Sequence, residues 1–234
     1  NITPGKSLFL NEINLSIWPL AKIVWVVLIL CKVNSDLLPH VQNSLDGLNQ
    51  YSKSISLCQE CSLGAKRNNF VFGVGDPNAE LMLIGEAPAK EEDLEGEPFV
   101  GRTGKLLNKI LAAINKNRLE GVYLANILKC RPPGNRDPLS SEVDKCEPYL
   151  LKQIELIKPK LIMALGKFSA KTLLKNEIPM DKMRGTVYNY YGTPLKVTYH
   201  PDSLIRNPDF KKSIIGSTVI EDLFIKLYLQ RIGP

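Results

Sequence analysis

With 234 residues, 44% of them hydrophobic and 23% charged, the chain can bury one sizeable core and is too apolar for a disordered tail. A formal net charge of +6 favours a polyanionic partner. Five cysteines cannot all pair with one another, and cysteines this sparse exclude a secreted disulfide scaffold, so metal-bound thiolates in a reducing, cytoplasmic setting fit better.

Residues 1–50 differ in texture from the rest of the chain. Residues 23–31 are nine apolar residues in a row. A membrane-spanning helix needs ~20, so the run is read as a buried helix within an N-terminal extension of uncertain structure. A signal-anchor core is the alternative, and no membrane association is expected. The regular pattern occupies 51–234, read as one domain. Residues 80–85 predict a short buried strand. Thr103 predicts an N-cap, followed by Leu106, Leu107, Ile110, Leu111 and Ile114 at helical spacing. Residues 122–126 predict a second strand. Val143, Cys146, Leu150, Ile154 and Ile157 share one helical face, and Pro148 predicts a kink or restart in that helix. A third strand at 161–166 and a helix over roughly 167–175 come next. Residues 186–190 and 195–199 predict a hairpin across Gly192-Thr193-Pro194, and a last helix fits about 216–230.

Strands alternating with helices imply parallel pairing. The expected architecture is α/β: a three-layer α/β/α sandwich around a central, mostly parallel four-stranded sheet. Ligands of open α/β sheets bind beyond the carboxyl ends of the strands. The polar residues Glu86, Asn126, Lys167 and His200 follow or end the predicted strands here. One rim of the sheet therefore gathers the candidate chemistry.

Four cysteines are spaced like metal ligands: Cys58-x-x-Cys61, Cys130, and Cys146 after fifteen intervening residues. Thiolates hold iron–sulfur clusters, typically four per cluster, and four in a tetrahedral site also suit zinc. Spacing does not separate the two. Phe99, in the tight loop Pro98-Phe99-Val100-Gly101, offers a stacking platform for a flat ring. Asn126 carries an acceptor and donors on one amide and so can read a base edge. Glu86 is the candidate carboxylate for positioning or activating water.

These residues fall in an ordered set: Gly85-Glu86-Ala87-Pro88-x4-Asp93, Pro98-Phe99-Val100-Gly101-Arg102, Asn126-x3-Cys130-Arg131-Pro132-Pro133 and His200-Pro201-x2-Leu204. Together with the four cysteines the set resembles the family 4, iron–sulfur type uracil-DNA glycosylases over about residues 55–225. The resemblance implies a [4Fe–4S] cluster on Cys58, Cys61, Cys130 and Cys146, serving as a structural clip. It implies a monofunctional enzyme that flips uracil out of DNA and hydrolyses its N-glycosidic bond. The abasic site left behind is the substrate for base excision repair. In that reading Phe99 stacks on uracil and Asn126 reads its edge. His200 donates to O2, Glu92 is a second carboxylate near the pocket, and backbone N–H groups around Ala87 contact the base. The partner is uracil-containing DNA, and the enzyme is expected to be a monomer in the cytoplasm, associated with the nucleoid.

Leu204 and Ile205 fit an apolar wedge filling the gap left by the flipped base, with Arg206 meeting a phosphate. Arg102, Lys129, Arg131 and Arg136 fit a phosphate track, and the loop 131–136 is the best collective candidate. Two positions depart from the family pattern. Ala89 stands where glycine is usual, which predicts strain if that position needs positive φ. Asp202 adds negative charge where small neutral residues are commoner. Both favour an alternative, a catalytically weak or inactive glycosylase-fold module that binds DNA. A zinc-stapled domain acting on free nucleotides is a third reading.

Overall fold

The computed structural model describes residues 45–207. The apolar run at 23–31 and the expected helix at 216–230 lie outside them. The unit that carries the fold begins at Ser44. Residues 45–55 form helix α1, whose Leu48 is buried in the core. This helix therefore belongs to the domain rather than to the extension read as 1–50.

Six strands make one sheet: β1 (Val74–Gly75), β2 (Leu81–Gly85), β3 (Val122–Asn126), β4 (Leu161–Leu165), β5 (Tyr188–Tyr190) and β6 (Thr193–Thr198), in the order β1-β3-β2-β4-β6-β5. The four inner strands β3, β2, β4 and β6 are mutually parallel. They are the four-stranded sheet expected from the sequence. The other two are short antiparallel edges. β1 pairs Val74 with Leu124, and β5 pairs Tyr188 with Leu195. A two-residue strand carries no periodicity to read, so β1 left no trace in the sequence pattern.

Strands β2, β3 and β4 are wholly buried because helices cover both faces. On one face Leu81, Leu83, Leu124 and Met163 pack with Leu107 and Leu111 of helix α3 (Gly101–Ala113). On the other, Met82, Ile84, Ala125 and Ile162 pack with Leu150, Ile154 and Ile157 of helix α4 (Ser140–Ile157) and with Ala170 and Leu173 of helix α5 (Lys167–Leu174). Alternate residues of one strand thus face different helical layers, which is the three-layer arrangement. Each fully buried Leu contributes about 1.5–3 kcal/mol.

Three local expectations need correction. Helix α3 begins at Gly101 behind an N-cap at Val100, so Thr103 lies inside its first turn. Helix α4 runs unbroken through Pro148. Pro148 and Asp144, whose carbonyl loses its helical partner, are both exposed, so no stranded acceptor ends the helix in the core. The hairpin turns on Tyr191 and Gly192, with φ of 47° and 89°. Two left-handed central residues are what a two-residue turn needs to follow the strand twist. Three short helices complete the described unit: α2 (Lys90–Glu95), α6 (Met180–Met183) and α7 (Pro201–Arg206).

Candidate active site

The loop after β2 is held by one carboxylate. Glu92, buried in α2, accepts from the backbone N–H of Ala89 at 2.5 Å and of Phe99 at 2.6 Å. Burial raises its pKa above the ordinary carboxylate value, and those two donors pull it back toward the charged form. Ala89, the N-cap of α2, has φ −89° and ψ −172°. That is extended backbone open to any residue, so the alanine brings no strain.

Phe99 does sit in strained backbone, with φ 55°, and its side chain is 1% exposed. Arg118 pins it from the far side, donating from Nη2 to the Phe99 carbonyl at 2.5 Å. Gly104 permits that approach, since a Cβ there would collide with the same carbonyl. The left-handed residue is therefore clamped at both its N–H and its C=O.

Asn126 ends β3 beside Gly85, its register partner on β2. A Cβ on Gly85 would collide with Asn126 Oδ1 and lie 2.6 Å from Phe99 Cζ. The amide and the aromatic ring thus converge over bare backbone. Asn126 is 3% exposed, and its side-chain amide has no hydrogen-bond partner among the described residues. Neither amide atom is sealed from solvent as Ser169 Oγ and Arg184 Nε are, so the amide stays open to a ligand that supplies its partners. Its backbone carbonyl is occupied: Lys129 Nζ donates to it at 2.7 Å and to Gln153 Oε1 at 2.6 Å.

His200 is the N-cap of α7, and its ring lies 5.8 Å from that of Phe99, tilted by 34°. Its Nδ1 accepts from the Asp202 N–H at 3.2 Å. A neutral imidazole that accepts at Nδ1 carries its proton on Nε2. Burial lowers the His200 pKa, so the neutral form is favoured. Gly166, with φ of 92°, makes room for it: a Cβ there would sit 3.0 Å from the His200 Cβ.

Glu86 opens onto a cleft of about 940 Å³ that also reaches Ala87, Asp137, Gly166, His200 and Ser203. Burial, reinforced by the charge of Asp137, pushes Glu86 up to about 7. A carboxylate tuned there can accept a proton near neutral pH.

The four cysteines line one small space with Arg67, Phe70 and Tyr149, although Cys58 and Cys61 follow α1, Cys130 follows β3 and Cys146 lies in α4. None is disulfide-bonded. Arg67 Nη1 donates to Cys130 Sγ at 3.3 Å, the Lys129 N–H to Cys146 Sγ at 3.3 Å, and Tyr149 Oη lies 3.2 Å from Cys58 Sγ. Burial pushes the Cys146 thiol up to about 11. No group of three or more converges as a ready single-ion site among the described residues.

The outer residues differ from expectation. Leu204 is buried, packed into the domain rather than available as a wedge, whereas Ile205 is half-buried at the surface. The residue pair was readable as Leu-Ile but not which of the two faces out of a one-turn helix. Arg206 pairs with Asp202 at 2.7 Å, so Asp202 is locally balanced. Arg136 is bound by Glu142 through two nitrogens at 2.9 and 2.6 Å, and Lys129 is fully buried. Those two are unavailable to a phosphate track. Arg131 donates to Asn135 Oδ1 at 2.7 Å in an exposed loop. Arg118 was missed: it lies 19 residues from the carbonyl it holds, and no local motif marks it.

Phe99, Asn126 and His200 thus gather around a glycine floor, with a carboxylate tuned to about 7 at the neighbouring cleft. Residues 72–223 match the Uracil DNA glycosylase superfamily. The chain belongs to that superfamily. A type-4 uracil-DNA glycosylase of Archaeoglobus fulgidus is 41% identical over 176 residues, covering 72% of this chain and 88% of the relative. Type-4 enzymes of Saccharolobus solfataricus and Sulfurisphaera tokodaii are 42% and 38% identical over 191 and 198 residues, covering 78% and 81% of this chain and 86% and 87% of the relatives.

Proposed function

We propose that this glycosylase-family domain removes uracil from DNA by hydrolysis, leaving an abasic site. The observation that carries the reading is the convergence of the Asn126 amide, which has no side-chain partner among the described residues, and the Phe99 ring over the bare backbone of Gly85. A flipped uracil stacked on Phe99 presents N3–H and O4, which match Asn126 Oδ1 and Nδ2. Cytosine presents the opposite polarity at that edge, so a held amide rejects it.

As the C1′–N1 bond breaks, its electron pair moves onto the uracil ring and charge gathers at O2. His200 Nε2–H is the donor for that oxygen, and in its neutral state the ring donates a hydrogen bond while keeping its proton. The sugar develops oxocarbenium character. Water attacks C1′, and Glu86, tuned to about 7, takes the water's proton. Glu92 acts one step removed, holding Phe99 and Ala89 by their N–H groups. The backbone around Ala87 lines the same cleft.

The cysteine site fits a metal group. Four thiols line one space, three of them receive hydrogen bonds or a hydroxyl contact, and cations at Arg67 and Lys129 stand beside them to balance thiolate charge. Hydrogen bonds to sulfur are a usual feature of cluster sites. We assign Cys58, Cys61, Cys130 and Cys146 to a [4Fe–4S] cluster, with zinc as the alternative that iron and sulfide analysis would reveal. When bound, it supplies a structural clip, and no chemical step passes through it.

The ordinary backbone of Ala89 and the paired charge of Asp202 weaken the case for a non-catalytic DNA-binding module. The test is a labelled oligonucleotide with one uracil, scored for alkali-revealed abasic sites. Wild type is expected to cleave and Asn126→Ala to fail. An inactive wild type that still binds the oligonucleotide would move the assignment to the binding module.

A further inference from the structure

Helix α3 carries Arg102, Lys105 and Lys109 and no acidic residue. All three are exposed. None has an ion pair or hydrogen bond to another described residue. Several other surface cations are neutralised: Arg118 pairs with Glu97, Arg136 with Glu142, Lys160 with Glu80 and Arg206 with Asp202. Spacing of i, i+3 and i+7 puts the three on one side of the helix.

These cations line a groove of about 340 Å³ whose apolar members are Leu106 of α3 and Ile205 of α7. Both helices start at the site. α3 begins two residues after Phe99, and α7 begins immediately after His200. The groove therefore leads away from the place where the base is held.

We propose that this groove carries the sugar–phosphate backbone of the DNA strand that contributes the target base. The inference rests on the glycosylase reading of the pocket and says where the strand runs. Seven residues of helix rise about 10 Å, and the long Arg and Lys side chains spread along that length can meet two or three neighbouring phosphates of one strand. Leu106 and Ile205 supply an apolar floor for sugars. An acidic protein partner would meet the same charges, but nothing in its recognition calls for a groove that starts at the base pocket.

The test compares two variants of equal charge. One is Arg102→Gln/Lys105→Gln/Lys109→Gln. The other is Lys152→Gln/Lys158→Gln/Lys160→Gln, at the opposite rim of the sheet. Each lowers the net charge from +6 to +3. The slope of log kcat/KM against log salt is measured on a uracil oligonucleotide, alongside DNA binding by anisotropy. Each lost phosphate contact flattens the slope by about 0.7–0.9, so the groove variant is expected to lose about two units of slope and the control none. Equal slopes for the groove variant and wild type would overturn the proposal, as would equal flattening in both variants. Equal slopes together with retained binding of an acidic protein surface would point to the other occupant. An inactive wild type would sink the glycosylase reading instead, and the anisotropy slopes would still decide the groove.

Discussion

Glu86 has to be charged to accept a proton from water, and its folded pKa of about 7 lies well above its ordinary value of 4.5. Hydrolysis at subsaturating substrate should therefore climb about tenfold per pH unit below about 7 and level off above it. Glu86→Gln should be slow and flat over the same range. A wild-type profile that is flat through neutrality would remove Glu86 as the base. Stability carries the opposite sign. A carboxyl whose folded pKa is raised is penalised once the unfolded chain ionises, so the penalty is absent below about 4.5 and grows as pH rises toward the folded value. Glu86→Gln should then melt above wild type at pH 8 and match it near pH 4, a stability gain paired with lost activity. Burial lowers the His200 pKa, which favours the neutral donor form at and above neutral pH. His200→Ala removes one donor to a developing anion and should cost about 10²–10³ in kcat with little change in melting temperature.

The loop from Glu86 to Val100 shows at the level of an element how a pocket is stiffened. Glu92 closes it by holding Ala89 and Phe99, and Arg118 holds the Phe99 carbonyl. Glu92→Ala leaves two N–H groups without their acceptor and releases a residue at φ 55°. The expected loss is about 1–3 kcal/mol of stability, with weaker binding of free uracil seen by calorimetry. Unchanged uracil affinity in a destabilised variant would mean the brace is structural only. This element also marks the boundary of what sequence could disclose. The strands β2, β3 and β4 were legible because strands buried on both faces read as unbroken apolar runs, and the polar residues at their carboxyl ends then marked the rim. The helix at α2, the cap at Val100 and the clamp from Arg118 were not. Six residues rich in Glu look like a solvated loop, a valine cap has no chemical signature, and a contact across 19 residues exists only after folding. The outward choice of Ile205 over Leu204 likewise depends on how one turn of α7 is rotated.

For the whole molecule, the four cysteines join segments that the sheet does not join directly. Cys58 and Cys61 belong to the chain after α1, Cys130 to the loop beyond β3, and Cys146 to helix α4. Three residues before Cys146 Sγ's backbone donor lies Asn126, and Lys129 connects the two places with its N–H on the sulfur and its Nζ on the Asn126 carbonyl. A clip of this kind acts chiefly by closing long loops. By the loop-closure argument, tying segments nearly a hundred residues apart is worth on the order of 4 kcal/mol. For a domain of this size that corresponds to a fall of roughly 10 °C in melting temperature when the clip is lost. Cys58→Ser and Cys146→Ser should therefore lose iron and melt lower by about that amount. If the proposed cluster serves only as a clip, the folded fraction of Cys58→Ser, assayed cold, should keep most of the wild-type kcat. Cys146→Ser should do worse than Cys58→Ser, since it also removes the acceptor for Lys129 and frees the segment that positions Asn126. A variant that lost kcat while keeping its melting temperature would show that the metal group takes part in the chemistry and that the clip reading is wrong.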